Sequence, residues 1–195
     1  MIDFLKFFSK QTLSQSSLLA IESKIKKLQY ETHHLLLEEG DISRKLYFVE
    51  KGTACAFSYG EEDKKMISWI VTEGDFVGSI DSFFGQTPSI ESIEILEKAT
   101  LWAIKYDDMC ELQQNFVEIQ ALSLKLMEKY LLRFNSRLHL LLTKPAEKRI
   151  VKFWETQPNL KGRVPDNLIA AYLDMTPIYY STAKREITLK EQHKK

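Results

Sequence analysis

Between Lys45 and Gly78 the chain reads KLYFVEKGTACAFSYGEEDKKMISWIVTEGDFVG, with short apolar runs set between glycines at 52, 60, 74 and 78 and a further glycine at 40. Glycine allows tight backbone reversals that a residue with a Cβ reaches only at a cost, so runs of this length between glycines predict successive antiparallel strands. The spacing predicts a jelly-roll-like β-barrel from about Leu28 to Lys105. Its last strands are SIEIL and TLWAIKY, in which Ile93, Ile95, Leu101 and Ala103 alternate with other positions. Ahead of the barrel, Ser14 to Lys27 opens with cap-type serines and repeats apolar residues at 18, 19, 21 and 25, which predicts a short amphipathic helix.

At 195 residues the chain can hold one large or two small cores. With 44% hydrophobic residues it has the composition of an ordinary soluble protein. No apolar run approaches the roughly 20 residues of a membrane span. The N-terminal MIDFLKFFSK lacks the sustained apolar core and cleavage site of a secretory signal, so a cytoplasmic location is expected. Cys55 and Cys110 stand far apart in sequence with no paired spacing, so no metal site or cluster is expected and no cofactor is implied. The zero net charge hides an asymmetry: residues 1–143 carry a net −5 and residues 144–195 a net +5. The basic end is where a polyanion would dock.

From Asp107 to Lys144 there is neither Gly nor Pro, so a helix is predicted to run nearly unbroken across those 38 residues. Phe116, Ile119, Leu122, Leu126, Tyr130, Phe134, Leu138 and Leu141 recur every three or four residues along it. This stripe is longer than a barrel of this size covers, while Leu124, Leu131, Leu132, Leu140 and Leu142 give a second apolar face. Packing within the chain and pairing with a second copy both satisfy such a helix. Lys144-Pro145 ends it and predicts a domain boundary. Ala146 to Gln157 then reads as a helix around Ile150, Val151, Phe153 and Trp154, and Pro158 to Val164 as a connection with room for a small hairpin.

The segment RVPDNLIAAYLDMTPIYYSTAKREI has the layout of a helix-turn-helix. Asp166 is the expected cap of a first helix carrying Leu168, Ile169, Ala170 and Leu173. Asp174-Met175 forms the turn, and Thr176-Pro177 starts the second helix as N-cap and first-turn proline. Met175, Tyr180, Ala183 and Ile187 are the expected core. The candidate DNA-contacting residues are Thr176, Ile178, Tyr179, Ser181, Thr182, Lys184 and Arg185.

L-Y-F-V-x-x-G, a Gly-tipped hairpin, G-D-F-x-G and then the helix-turn-helix follow one another in an order that resembles the CRP/FNR family of bacterial transcription regulators. The resemblance covers nearly the whole chain and rests on order more than on any single motif. It implies an α+β fold with an N-terminal cyclic-nucleotide-binding-like β-roll over residues 1–106, a long dimerisation helix over 107–144 and a C-terminal (winged) helix-turn-helix over 145–195. It further implies a homodimer joined along Phe116, Ile119, Leu122, Leu126, Tyr130, Phe134 and Leu138. DNA is the implied partner, with RNA polymerase and a small-molecule effector of unknown identity as further ones. Gly78, Ser79, Ser89 and Glu91 are the candidate effector-pocket residues.

Two departures from the family pattern matter. Where cyclic-nucleotide binders carry Glu after the glycine and Arg after the short helix, this chain has Ser79 and the stretch Ser89 to Ser92, whose charged member is Glu91. A buried phosphate without its arginine loses a charge-assisted bidentate contact, and a carboxylate nearby repels it. Cyclic AMP is therefore not the expected effector. In the second helix Ile178 and Thr182 replace residues that read guanine, so base reading is expected to rest on methyl contacts, single hydrogen bonds or DNA shape, with Lys184 and Arg185 left for phosphates. Asp174 also replaces the glycine usual in the turn, a position Asp tolerates.

Catalysis is not expected. His33-His34 and Glu38-Glu39 are read as lying on a strand, where adjacent side chains point to opposite faces, and His139 and His193 lie far away. Nor does the sequence hold a nucleophile elbow or a phosphate-binding loop. The alternative carried forward is a ligand-sensing or scaffold module that acts through protein partners, with DNA binding weakened or lost.

Overall fold

The computed structural model describes residues 13–192. The N-terminal segment read for a secretory signal and His193 lie outside the described residues. In chain order the elements are α1 (Gln15–Lys24), β1 (Lys26–Tyr30), β2 (Leu35–Leu37), β3 (Lys45–Lys51), β4 (Ala54–Tyr59), β5 (Lys65–Val71), β6 (Phe76–Val77), α2 (Ile80–Gly85), β7 (Ser92–Ile95), β8 (Ala99–Lys105), α3 (Tyr106–Asn115), α4 (Val117–Leu142), α5 (Glu147–Thr156), α6 (Asp166–Tyr172) and α7 (Pro177–Gln192). Single 3-10 turns occupy Glu61–Asp63 and Pro158–Leu160.

The eight strands form two antiparallel four-stranded sheets, ordered β1-β8-β3-β6 and β2-β7-β4-β5, as the glycine spacing predicts for a jelly roll. Alternation along β3 and β8 divides the apolar residues between two cores. Tyr47, Val49, Leu101 and Ala103 face inward and join Ala56, Ile93 and Ile95 in an inner core. Leu46, Phe48 and Ile104 face outward and pack with Ile21, Phe83, Leu112, Ile119 and Leu122 in an outer core. Gly52 is required where β3 turns into β4: its φ is +107°, and a Cβ there would lie 2.7 Å from the Cβ of Ala99.

The chain divides into two compact units. The first holds the residues up to Ser58 and those from Ser68 to Lys129, which make up most of the roll, α3 and the first half of α4. The second holds Tyr59–Ile67 and Tyr130–Lys195, so the tip of the β4–β5 hairpin groups with the C-terminal helices.

Several expectations need correction. The long helix is broken at Phe116, whose extended backbone (φ −136°, ψ 110°) separates α3 from α4. The Phe116 N–H still donates to the Leu112 carbonyl at 3.0 Å, its own carbonyl accepts from Ile119, and its ring packs on the outer core. Absence of Gly and Pro permits a continuous helix, and burial of this aromatic overrides it. The Pro158–Val164 connection forms a 3-10 turn with Leu160 and Val164 buried, not a hairpin. His33 and His34 lie in a turn, not on a strand. His33 has φ +66° and its Nδ1 is 2.7 Å from Glu94 Oε1, while His34 stacks on Tyr30.

Candidate effector pocket and DNA-facing helix

The Gly78–Glu91 cassette folds around α2. Gly78 is set by close approach, since a Cβ there would come within 2.8 Å of Leu46 Cδ1. Ser79 is fully buried, caps the α2 backbone through its carbonyl to the Phe83 N–H at 2.7 Å, and donates its hydroxyl to Asp81 Oδ1 at 2.8 Å. Ser89 is buried in a tight turn, its hydroxyl donating to the Glu91 carbonyl at 2.7 Å. Glu91 is half-buried and accepts from Ser68 Oγ of β5 at 2.5 Å. Burial raises the Glu91 carboxyl above its usual range and the Asp81 charge adds to this, against the opposing Ser68 hydrogen bond.

The cassette thus gathers Ser79, Ser89, Ser68 and two carboxylates, and its own side chains supply no cation. A folded-state pKa above the unfolded value places the Glu91 contribution to stability at low pH. It is present below the unfolded carboxyl pKa and lost as pH rises through the raised one. Glu91→Gln should therefore gain thermal midpoint over wild type at pH 7 and lose that advantage on acidification to pH 4. A constant difference across that range would contradict the assignment.

In the second unit α6 and α7 form the helix-turn-helix. The turn residue Asp174 takes a left-handed φ of +52°, as its position requires. Thr176 caps α7, its Oγ1 accepting from the Tyr179 N–H at 3.2 Å. Ile169, Ala170, Leu173, Met175, Tyr180 and Ala183 are buried between the helices, with Ile187 half-buried. Burial pushes the Tyr180 hydroxyl up to about 12. Asp166 does not cap α6: Pro165 holds that position, and Asp166 in the first turn accepts from Lys184 Nζ at 2.8 and 2.9 Å. No strand follows α7 among the described residues, so a wing is not among them.

The outward face of α7 carries Ile178, 82% exposed, with Ser181, Thr182 and Arg185 also exposed. Two of the named residues are engaged within the unit. Lys184 is paired with Asp166 and lies 5.8 Å from the Trp154 ring centroid, and Tyr179 donates its hydroxyl to Glu147 of α5. Sequence reasoning also missed Arg137 on α4. Its Nη2 donates to the Ile67 carbonyl at 3.3 Å, and its guanidinium carbon lies 3.6 Å from the Tyr172 ring centroid. Burial lowers its pKa. No sequence periodicity marks it, because its partners come from the β4–β5 hairpin and from α6.

Of the seven residues named for the dimer helix, Tyr130 is half-buried and the other six divide. Ile119 and Leu122, 3% and 5% exposed, are filled into the outer core, with Phe116 and Leu126 packed against it. Their packing partners lie within the chain. The exposed apolar face is rotated from theirs and follows Val117, Leu124, Met127, Leu131, Phe134 and Leu138. From Leu124 these positions alternate three and four residues apart, the heptad period of a coiled coil. Phe134 and Leu138 are thus the two named residues that the exposed face retains.

Residues 27–116 match the family described as Cyclic nucleotide-binding domain. No curated protein sequence matches the chain. Among solved structures, FixK2 from Bradyrhizobium japonicum superposes with a TM-score of 0.75 at 16% identity, over 86% of each chain. A CRP/FNR-family transcriptional regulator from Eubacterium rectale gives 0.72 at 13% identity, over 91% of this chain and 85% of that one. The c-di-GMP responsive global regulator CLP of Xanthomonas campestris gives 0.69 at 16% identity, over 91% and 93%. The chain has the fold of the CRP/FNR regulators. No described helix is long and apolar enough to cross a membrane.

Proposed function

We propose that this chain is a homodimeric, DNA-binding transcription regulator of the CRP/FNR type, that it works in the cytoplasm without catalysis, and that it does not respond to cyclic AMP. The observation that carries the reading is the unburied face of α7, where Ile178, Ser181, Thr182 and Arg185 stand clear of the domain core. A helix of this kind enters the major groove with its first turns at the base edges. Selection from a random duplex library at low salt tests it: an enriched sequence supports the reading, and no retained duplex overturns it.

Because Lys184 is held by Asp166, Arg185 is the remaining cation among the residues named for DNA contact. Arg185→Ala should flatten the salt dependence of binding by about one unit of log–log slope for each protomer and weaken all sequences alike, whereas Ser181→Ala or Thr182→Ala should change which sequences are preferred. The engagement of Lys184 and Tyr179 favours one second reading, a sensing or scaffold module that acts through protein partners. RNA polymerase is the partner expected under the first reading.

At the roll, Ser79 stands where the resemblance expects Glu, and the stretch Ser89 to Ser92, whose charged member is Glu91, covers the position where it expects Arg. Losing a buried charge-paired contact to phosphate costs on the order of 3–5 kcal/mol, which moves a micromolar ligand toward millimolar. Calorimetry with cyclic AMP and cyclic GMP should register no binding at micromolar concentration. A dissociation constant below about 10 µM would refute this part of the proposal.

A further inference from the structure

On the inner face of the first sheet, Tyr47, Leu101 and Ala103 are buried and Leu28 packs against them. Two residues farther along the same face, strand alternation places Lys26 of β1, Lys105 of β8 and Lys45 of β3. Lys45 is the register partner of Lys105, and Lys26, the partner of Ala103, is its diagonal neighbour. Opposed Cβ atoms lie about 5 Å apart and diagonal neighbours within about 8 Å, a spacing at which like charges repel.

None of these three lysine side chains has a hydrogen-bond or ion-pair partner among the described residues. Outward-facing lysines nearby are treated differently: Lys24 reaches Glu111 at 2.8 Å and Asp108 at 3.2 Å, and Lys27 reaches Glu50 at 2.6 Å. Of the three lysines, Lys45 also lines a cleft of about 610 Å³, with Lys105 beside it in the strand register. Leu37, Tyr47 and Ile93 line its apolar side and Arg44, Lys45 and Asp41 its polar side. The Arg44 side chain is likewise without a partner among the described residues.

We infer that this rim is a binding site for a small organic phosphate. Lys45 and Lys105 take the phosphate oxygens, with Lys26 and Arg44 contributing charge. The uncharged body of the ligand lies over Leu37, Tyr47 and Ile93, and Asp41 accepts from a ligand hydroxyl. An anion placed there relieves the repulsion among the cations, so binding and local stability rise together. The cleft borders the Gly78–Glu91 cassette at Pro88, the lysines lie outside that cassette, and the inference does not rest on the reading of α7 as DNA-binding.

Phenyl phosphate and inorganic pyrophosphate are suitable probes, titrated into the full chain while backbone amide resonances are followed. Saturable shifts are expected at Arg44 to Tyr47 and at Lys105, with Leu37 and Ile93 responding to phenyl phosphate. Lys45→Met with Lys105→Met, which keeps the apolar stems, should weaken both probes about tenfold or more without lowering the thermal midpoint of the free protein, whereas Lys45→Arg with Lys105→Arg should bind like wild type. If the double Met variant fails to fold, Lys26→Met with Arg44→Met supplies the same comparison at the flanking positions. Phenol should not compete. The inference is overturned by shifts confined to Ile178–Arg185, by equal affinity in the Met variant, or by phenol binding as well as phenyl phosphate.

Discussion

Leu131→Glu combined with Leu138→Glu should turn a dimer into a soluble, folded monomer. The two leucines are 65% and 46% exposed in the isolated chain, so the protomer core does not depend on them. In a parallel pair joined along this face, four carboxylates would be brought together out of water. Each uncompensated buried charge costs about 3–5 kcal/mol, so the dissociation constant should rise by three orders of magnitude or more. Sedimentation velocity at micromolar concentration reads the change directly. Leu122→Glu serves as the contrast: at 5% exposure within the outer core, it should unfold the protomer and not merely separate two copies. A wild-type monomer at micromolar concentration would remove the seam from the proposal.

Phe83→Ala should be the most damaging single truncation near the effector cassette. The ring is fully buried, 5.2 Å from Phe84 and 5.5 Å from Tyr106 between centroids, and belongs to the core that joins α2 to β3 and α3. Emptying such a site costs about 3–5 kcal/mol, a large share of the 5–15 kcal/mol that holds a typical domain together. Denaturant unfolding followed by tryptophan fluorescence would show a lower midpoint with little change of slope. A loss below about 1 kcal/mol would mean that α2 is not held by this core.

The break at Phe116 and the rotated exposed apolar face of α4 share a cause. Phe116, Ile119, Leu122 and Leu126 have helical spacing, and helical spacing alone says that one face is apolar, not what covers it. The partner surface comes from Ile21 on α1 and Phe48 on β3, which are distant in sequence, together with Leu112 on the neighbouring α3. Once that surface is filled, Leu124, Leu131 and Leu138 become the residues without cover inside the chain. The pairing of Lys184 escaped the sequence for a similar reason: its spacing on α7 is compatible with a phosphate contact, and Asp166, which takes the ammonium here, comes from α6.

By itself the sequence determined whatever depends on local geometry. Glycines and alternating apolar residues set the strands of the roll, Thr176-Pro177 started α7 where a cap and a first-turn proline belong, and Asp174 accepted the left-handed turn. It also determined that Ser79 and Glu91 stand in the Gly78–Glu91 cassette, because identity needs no fold. Only the tertiary structure decided which face of α4 is free, that Arg137 is held between Ile67 and Tyr172, and that Lys26, Lys45 and Lys105 meet at one rim. Each of these is a meeting of residues remote in the chain. Register and packing bring such residues together, and neither is encoded in any local period of the sequence.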